Sequence, residues 1–247
     1  MKRWAWLTVG LSLYAVSLAA LAPAWLLDAL LDDASAGRVR LASAAGTIWS
    51  GQATAELRDD TGGSRWTAPL AWRLLPASLL AGRLDYRLVT APETSLSAMS
   101  VSRSRVEFSG VDIRMPAARL AAALPAAAPW GVYGEVRLLA DRVAFGPAHA
   151  AGSITVHWLA AGSTLSPVSP LGDYALEIAG DAQGWRARLH TLAGPVQLSG
   201  QGAWRSGDRP AFEATAEVPP ALRDELAPFL RLVAIERADG RFEWRLR

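Results

Sequence analysis

The side chains to question first for chemistry are the three histidines His149, His157 and His190, since imidazole serves both as metal ligand and as general base near neutral pH. They are scattered. His157 and His190 fall on the polar phase of alternating runs, and no third ligand stands at a metal-binding spacing. Surface histidine is the reading. Ser50 lies in Trp49-Ser50-Gly51, outside any G-x-S-x-G nucleophile elbow. Lys2 is the sole lysine, so no Ser–Lys dyad exists beyond the N-terminus, and the absence of cysteine removes thiol nucleophiles and disulfides together. Gly180 to Gly184 precedes no helical pattern and is no phosphate loop. Asp173 and Glu177 are carboxylates that could pair in space, but a solvated strand face accounts for them. The chain is expected not to be an enzyme, with no catalytic, metal or cofactor-binding residue and no cofactor.

Tryptophan is the unusual residue type, with 11 in 247 residues. Trp49, Trp66, Trp72, Trp130, Trp158, Trp185, Trp204 and Trp244 lie in the body of the chain. Core packing is the first reading, because each ring buries a large area. An exposed aromatic stripe for an apolar ligand or partner is the second.

These residues need elements to hold them. From Trp4 to Leu27 no residue carries a charge and most are apolar. As a helix at about 1.5 Å per residue, such a stretch reaches the roughly 30 Å of a bilayer's hydrocarbon core. Lys2 and Arg3 precede it and Asp28, Asp32 and Asp33 follow, which puts the body of the chain on the non-cytoplasmic side. Trp4, Trp6 and Trp25 stand near its ends as interfacial aromatics, and Pro23 kinks or ends the helix. A cleaved signal peptide, cut after Ala20-Leu21-Ala22, is the rival reading. The apolar stretch exceeds the roughly 7–15 residues of such a segment, which favours an anchor. Residues 1–3 are then cytoplasmic, 4–27 the anchor, 28–37 a juxtamembrane linker and 38–247 a periplasmic β-rich domain.

Removing Lys2 and Arg3 from the 25 basic residues leaves basic and acidic residues equal at 23 each. That balance argues against a nucleic-acid binder and disfavours a polybasic lipid-surface binder. Past Gly37 the apolar period becomes two. Trp185, Ala187 and Leu189 alternate with Arg186, Arg188 and His190. Val196, Leu198, Gly200, Gly202 and Trp204 alternate with Gln197, Ser199, Gln201 and Ala203. Phe212 to Val218 and Phe242 to Leu246 repeat the pattern, with weaker runs over 46–57, 84–89, 105–115, 134–145, 153–159 and 174–180. Turn residues at 59–64, 180–184, 206–210 and 238–240, and a longer loop at 162–170, predict antiparallel hairpins. Short helices are expected at 76–81 and at Met115-Pro116 to Leu124. A longer one is expected over 220–234, apolar at Leu222, Leu226, Phe229, Leu230 and Val233 and broken or kinked at Pro228. The fold class is mainly β: an N-terminal transmembrane helix, then a large antiparallel β domain. So few helices leave a curved sheet, a trough or a flattened sandwich.

Four stretches in order carry a resemblance: Gly46 to Gly51 (GTIWSG), Gly152 to Gly162 (GSITVHWLAAG), Ser169 to Tyr174 (SPLGDY) and Thr191 to Trp204 (TLAGPVQLSGQGAW). With the N-terminal anchor and the length, they resemble the type II secretion system protein N family over essentially the whole chain. The resemblance implies a non-catalytic, inner-membrane-anchored periplasmic subunit of that secretion machine. Its implied partners are the platform proteins of the L, M and C types, and the outer-membrane secretin. The candidate partner or structural residues are Trp49, Gly51, Trp158, Pro170, Leu171, Gly172, Tyr174, Gly194, Pro195 and Gly200. A second reading is an AsmA-like periplasmic trough that binds or carries lipid or other apolar molecules. An envelope hydrolase is a third.

Overall fold

The structure is a computed structural model that describes residues 2–58, 64–90, 95–123, 127–146, 150–205, 208–209 and 211–246. His149, Leu124, residues 59–63 of the expected 59–64 turn and residues 206, 207 and 210 of the expected 206–210 turn lie outside the described residues, as do the side chains of Trp4, Trp6, Trp66 and Val233. The chain divides into two compact units, Met1–Thr94 and Ser95–Arg247.

The first unit begins with helix α1 (Lys2–Ala20) and helix α2 (Trp25–Ala34). A single helix over 4–27 is therefore corrected. Pro23 stops the first helix, and residues 22–24 are taken up by the sheet instead. The Ala24 N–H donates to the Gly46 carbonyl at 3.0 Å, and the Ile48 N–H donates to the Ala22 carbonyl at 2.9 Å. Among the described residues, no helix is long and apolar enough to cross a membrane. The expected 28–37 linker is mostly α2, and it packs on the first strand.

Strands β1 (Val39–Gly46), β2 (Ser50–Arg58), β3 (Ser64–Leu74) and β4 (Leu84–Thr90) follow as an antiparallel meander. The expected run over 46–57 is strand β2 from Ser50 onward; its first residues are the end of β1 and a turn, because Gly46 takes φ +95° and the chain turns through Thr47, Ile48 and Trp49. The outward N–H groups of β1 are covered by α2. Val39 N–H donates to Ser35 Oγ at 2.9 Å and Leu41 N–H to Asp28 Oδ1 at 2.7 Å. This blunts an edge that would otherwise pair with another strand. Leu41, Ala53, Ala68, Trp72, Leu74 and Tyr86 form the buried side of this meander. The short helix expected over 76–81 is a 3-10 turn, Pro76–Ala81.

The second unit holds β5 (Ser95–Ser102), β6 (Arg105–Pro116), β7 (Val132–Phe145), β8 (Ala150–Ser163), β9 (Gly172–Asp181), β10 (Gly184–Ala193), β11 (Gln197–Trp204), β12 (Phe212–Glu217), β13 (Ile235–Glu236) and β14 (Phe242–Leu246). Each strand through β12 pairs with its chain neighbour, and β14 lies between β12 and the two-residue β13. Sequential order leaves these strands in one sheet, so the flattened sandwich is corrected to an open antiparallel sheet. Helix α3 (Ala117–Ala123) sits between β6 and β7 and buries Ala117 and Ala121.

Register turns the period of two into rows. Val156, Leu176, Leu189, Gly200, Ala214 and Trp244 stand opposite one another across β8, β9, β10, β11, β12 and β14. On the other face, Thr155, Glu177, Arg188, Gln201, Glu213 and Arg245 do the same. One face is apolar and one charged, so a slip of one residue would exchange them.

Helix α4 (Arg223–Val233), entered through a 3-10 turn at Pro220–Leu222, covers the apolar face at the C-terminal end of the sheet. Leu226, Ala227, Phe229 and Leu230 pack with Leu171, Val196, Ala216, Val218 and Phe242. Full burial of a side chain such as Phe242 or Leu226 contributes about 1.5–3 kcal/mol. The expected break at Pro228 does not occur: the helix runs through it. Pro228 has no N–H to reach the Asp224 carbonyl, and Asp224 is an exposed residue near the helix start, so that carbonyl is not left unpaired in the core.

Candidate functional site

Most of the residues singled out in sequence converge at one end of the second unit. The loop after β8 leads through the cis Ser169–Pro170 bond to Leu171, which is buried. Its N–H donates to the Ala161 carbonyl at 2.7 Å, and its carbonyl accepts from the Val196 N–H at 3.1 Å. Leu171 thereby ties β8 to the segment between β10 and β11. Gly194, at φ +115°, passes so close to Gly172 that a side chain on Gly194 would strike its backbone. Pro195 follows within the bend that joins β10 to β11. Pro170, Leu171, Gly172, Tyr174, Gly194 and Pro195 are thus one packed corner, built from the two stretches 169–174 and 191–204.

Tyr174 is buried in that corner and its hydroxyl donates to the Val196 carbonyl at 3.1 Å. Burial, with the neighbouring Asp173 charge added, pushes the phenol well above the ordinary tyrosine range. Trp158 stands opposite Tyr174 on β8, with ring centroids 6.1 Å apart, and donates its indole N–H to the Tyr133 carbonyl at 2.9 Å. Gly200 lies on β11, where an added Cβ would meet the Phe212 ring at 2.9 Å. An aromatic ring laid over a glycine on the next strand recurs in the first unit. A Cβ on Gly51 would lie 2.6 Å from the Trp72 ring, so the ring occupies that space. Trp49 is also in the first unit, where its indole N–H donates to the Ala19 carbonyl at 2.8 Å and fastens the end of α1 to the β1–β2 turn.

The tryptophans do not form one stripe. Trp72 is buried, Trp130, Trp158, Trp185 and Trp204 are half-buried, and Trp244 is 45% exposed. Trp130, Trp158 and Trp244 share a cavity of about 390 Å³ between the apolar face and α4. Leu189, Leu198 and Phe229 also line it. Sequence reasoning marked Trp158, Leu171 and Tyr174, read Trp130 and Trp244 as core or as an apolar-ligand stripe, and missed Val132 and Ala234. The alternation on β11 and β12 and the apolar stripe of α4 were the available signals. Only strand register brings them together.

The charged face carries a wider hollow of about 700 Å³, lined by Glu177, Arg186, Arg188, Gln201 and Glu213 among others. Its charges are of both signs, and Arg245 pairs with Glu213 at 3.3 Å. His157 and His190 flank Ala175 on this face. Among the described residues, no group of three or more His, Cys, Asp or Glu could hold a metal. Asp173 is engaged structurally, its carboxylate accepting the Ala160 N–H at 2.6 Å. Glu177 lies four residues along the same strand, roughly 13 Å away, so the two do not pair. Further along the sheet, Arg137 binds Asp112 through both guanidinium arms at 2.9 and 2.7 Å and holds that carboxyl below its usual range.

The geometry offers packed apolar surface, a charged strand face and a short, open C-terminal edge. Comparison with known proteins gives one finding. The family model for type II secretion system (T2SS), protein N, matches residues 37–245. No curated protein and no solved structure matches the chain. The match begins in the segment before β1 and runs through β14, spanning both units. The chain belongs to the type II secretion system protein N family.

Proposed function

We propose that this chain is a non-catalytic subunit of the type II secretion system, anchored in the inner membrane with its β-rich body in the periplasm. It works by docking with the platform proteins of the L, M and C types and with the outer-membrane secretin. Family membership carries the secretion reading.

The anchor reading draws on α1. Its 19 residues rise about 28 Å, close to the roughly 30 Å of a hydrocarbon core. Leu11, Leu13, Tyr14, Val16 and Leu18 are each more than half exposed, and at 100° per residue they spread over about 220° of the helix circumference, with the small Ser12 and Ala19 in the remaining sector. So wide an exposed apolar surface is at home in lipid. Lys2 and Arg3 at its start favour a cytoplasmic N-terminus. Docking draws on the sheet edges. The β1 edge is covered by α2, whereas β13 pairs with only Glu243 and Phe242 and leaves the rest of β14 open. An open edge accepts an added strand. Trp49, Gly51, Trp158 and the Pro170–Tyr174 and Gly194–Gly200 segments act in this reading by fixing the shape of the docking body.

The test is deletion of the gene in a strain with an otherwise complete secretion system. Secreted enzymes are expected to accumulate, folded and active, in the periplasm, with release restored by the intact gene. Equal secretion with and without the chain would refute the proposal. The alternative of an AsmA-like lipid carrier draws on one observation, the apolar cavity beneath α4.

A further inference from the structure

The cavity beneath α4 is a partly open hollow of the second unit, bounded by the apolar strand face and that helix, with the half-exposed Trp244 in its wall. Its volume of about 390 Å³ falls in the lower part of the roughly 300–1,000 Å³ range of small-molecule sites. Among the described residues, no arginine, histidine, lysine or carboxylate lines it. Three polar groups of its wall are turned onto backbone carbonyls: Ser163 Oγ to Trp130, Tyr174 OH to Val196, and the Trp158 indole N–H to Tyr133. Such a wall presents hydrocarbon and little else.

That chemistry selects the occupant. A peptide segment would bring backbone N–H and C=O groups into a space that offers them few partners. A sugar or nucleotide would lose its water without replacement. A buried carboxylate would meet no cation. An aliphatic chain needs only apolar contact, and Trp158, Leu189, Leu198 and Trp244 supply it from β8, β10, β11 and β14. We infer that the cavity takes one acyl chain of a membrane glycerophospholipid, with the head group left outside. The choice of a membrane lipid as the source rests on the proposed anchoring of α1. One lodged chain makes the second unit a lipid-bound body and not a conduit.

The experiment uses the full chain in nanodiscs of phosphatidylethanolamine and phosphatidylglycerol, doped with a phosphatidylethanolamine whose acyl tail carries a diazirine. After irradiation, labelled peptides are mapped by mass spectrometry. A parallel arm uses diazirine-bearing palmitate. Label is expected in the segments holding Trp158, Leu189, Leu198 and Trp244, as well as in α1. Ala214→Phe and Ala234→Phe fill the cavity from two sides, and each is expected to abolish the cavity label while α1 label and the thermal transition persist. The wild-type map decides the matter even if a variant misfolds. Label in α1 without label in the cavity would overturn this inference and leave the anchor standing. Label in neither would overturn both. Cavity label from palmitate alone, cavity label that survives both variants, or a protein segment found cross-linked there instead would each overturn the assignment to a lipid tail.

Discussion

Asp28 offers the sharpest test of how the N-terminal segment joins the fold. Its carboxylate accepts two hydrogen bonds from the Arg40 guanidinium, each at 3.0 Å, and one from the Leu41 N–H at 2.7 Å. Hydrogen bonds to charged groups contribute about 1.5–3 kcal/mol when shielded, and exposed ion pairs about 0.2–1 kcal/mol. The side chains of Arg40 and Asp28 are 35% and 19% exposed, so water discounts the ion pair more than the bond to Leu41. Asp28→Ala should therefore cost about 2 kcal/mol. Asp28→Asn keeps an acceptor for Leu41 and should cost about 1 kcal/mol. Arg40→Gln should add little to Asp28→Asn, so the two substitutions should be non-additive in a double-mutant cycle.

The assay is thermal unfolding of the full chain in detergent micelles, followed by tryptophan fluorescence, with a drop of about 4 °C or more per kcal/mol in a unit of this size. Arg40 beside Asp28 holds its carboxyl below the ordinary value. The stabilisation is thus complete above about pH 4, the unfolded value, and is lost as pH falls through the lower folded value. Asp28→Asn should lack that acid-sensitive component. An Asp28→Ala protein within about 0.5 kcal/mol of wild type, or an Asn variant with unchanged acid sensitivity, would refute the argument that residues 25–34 are part of the folded unit.

Phe242 is 1% exposed at the centre of the α4 core, and Phe242→Ala should destabilise the second unit by about 3–5 kcal/mol in denaturant unfolding. Tyr174→Phe strips the Val196 carbonyl of its 3.1 Å donor and should cost about 1–3 kcal/mol. The same variant should delete a late-titrating phenol from an alkaline absorbance titration. Wild-type Tyr174 binds its proton more tightly folded than unfolded, so its presence lowers stability as pH rises above about 10. Gly51→Ala would place a Cβ 2.5 Å from the Ala45 carbonyl oxygen and 2.6 Å from the Trp72 ring, and should destabilise the first unit by about 1–3 kcal/mol in denaturant unfolding.

The alternation in 185–190 and 196–204 was readable because Arg, Gln and Ser mark one face and Trp, Leu and Gly the other, and it became β10 and β11. The stripe of Leu222, Leu226, Phe229 and Leu230 was readable for the same reason and became the inner side of α4. Strand β3 was hidden, since Ala68, Pro69 and Ala71 blur its phase and proline argues against a strand. The break between α1 and α2 was signalled by Pro23, but the second helix beyond it was hidden by unbroken apolarity. What fixes it is long-range, the pairing of Pro23 with Thr47 and the bond from Trp49 to Ala19. The corner of Leu171, Tyr174 and Gly194 showed in the sequence as two separate stretches. Their meeting depends on β8, β9, β10 and β11 lying side by side, and so does the cavity that Trp130 and Trp244 share from distant parts of the chain.

The central claim is that this chain acts by contact within the secretion machine. Affinity purification of the full chain from native membranes, with every co-purifying protein identified by mass spectrometry, tests it most directly. The account predicts recovery of platform subunits of the type II system in constant proportion to the tagged chain. Isolation of the chain alone, from membranes in which those subunits still purify with one another, would contradict it.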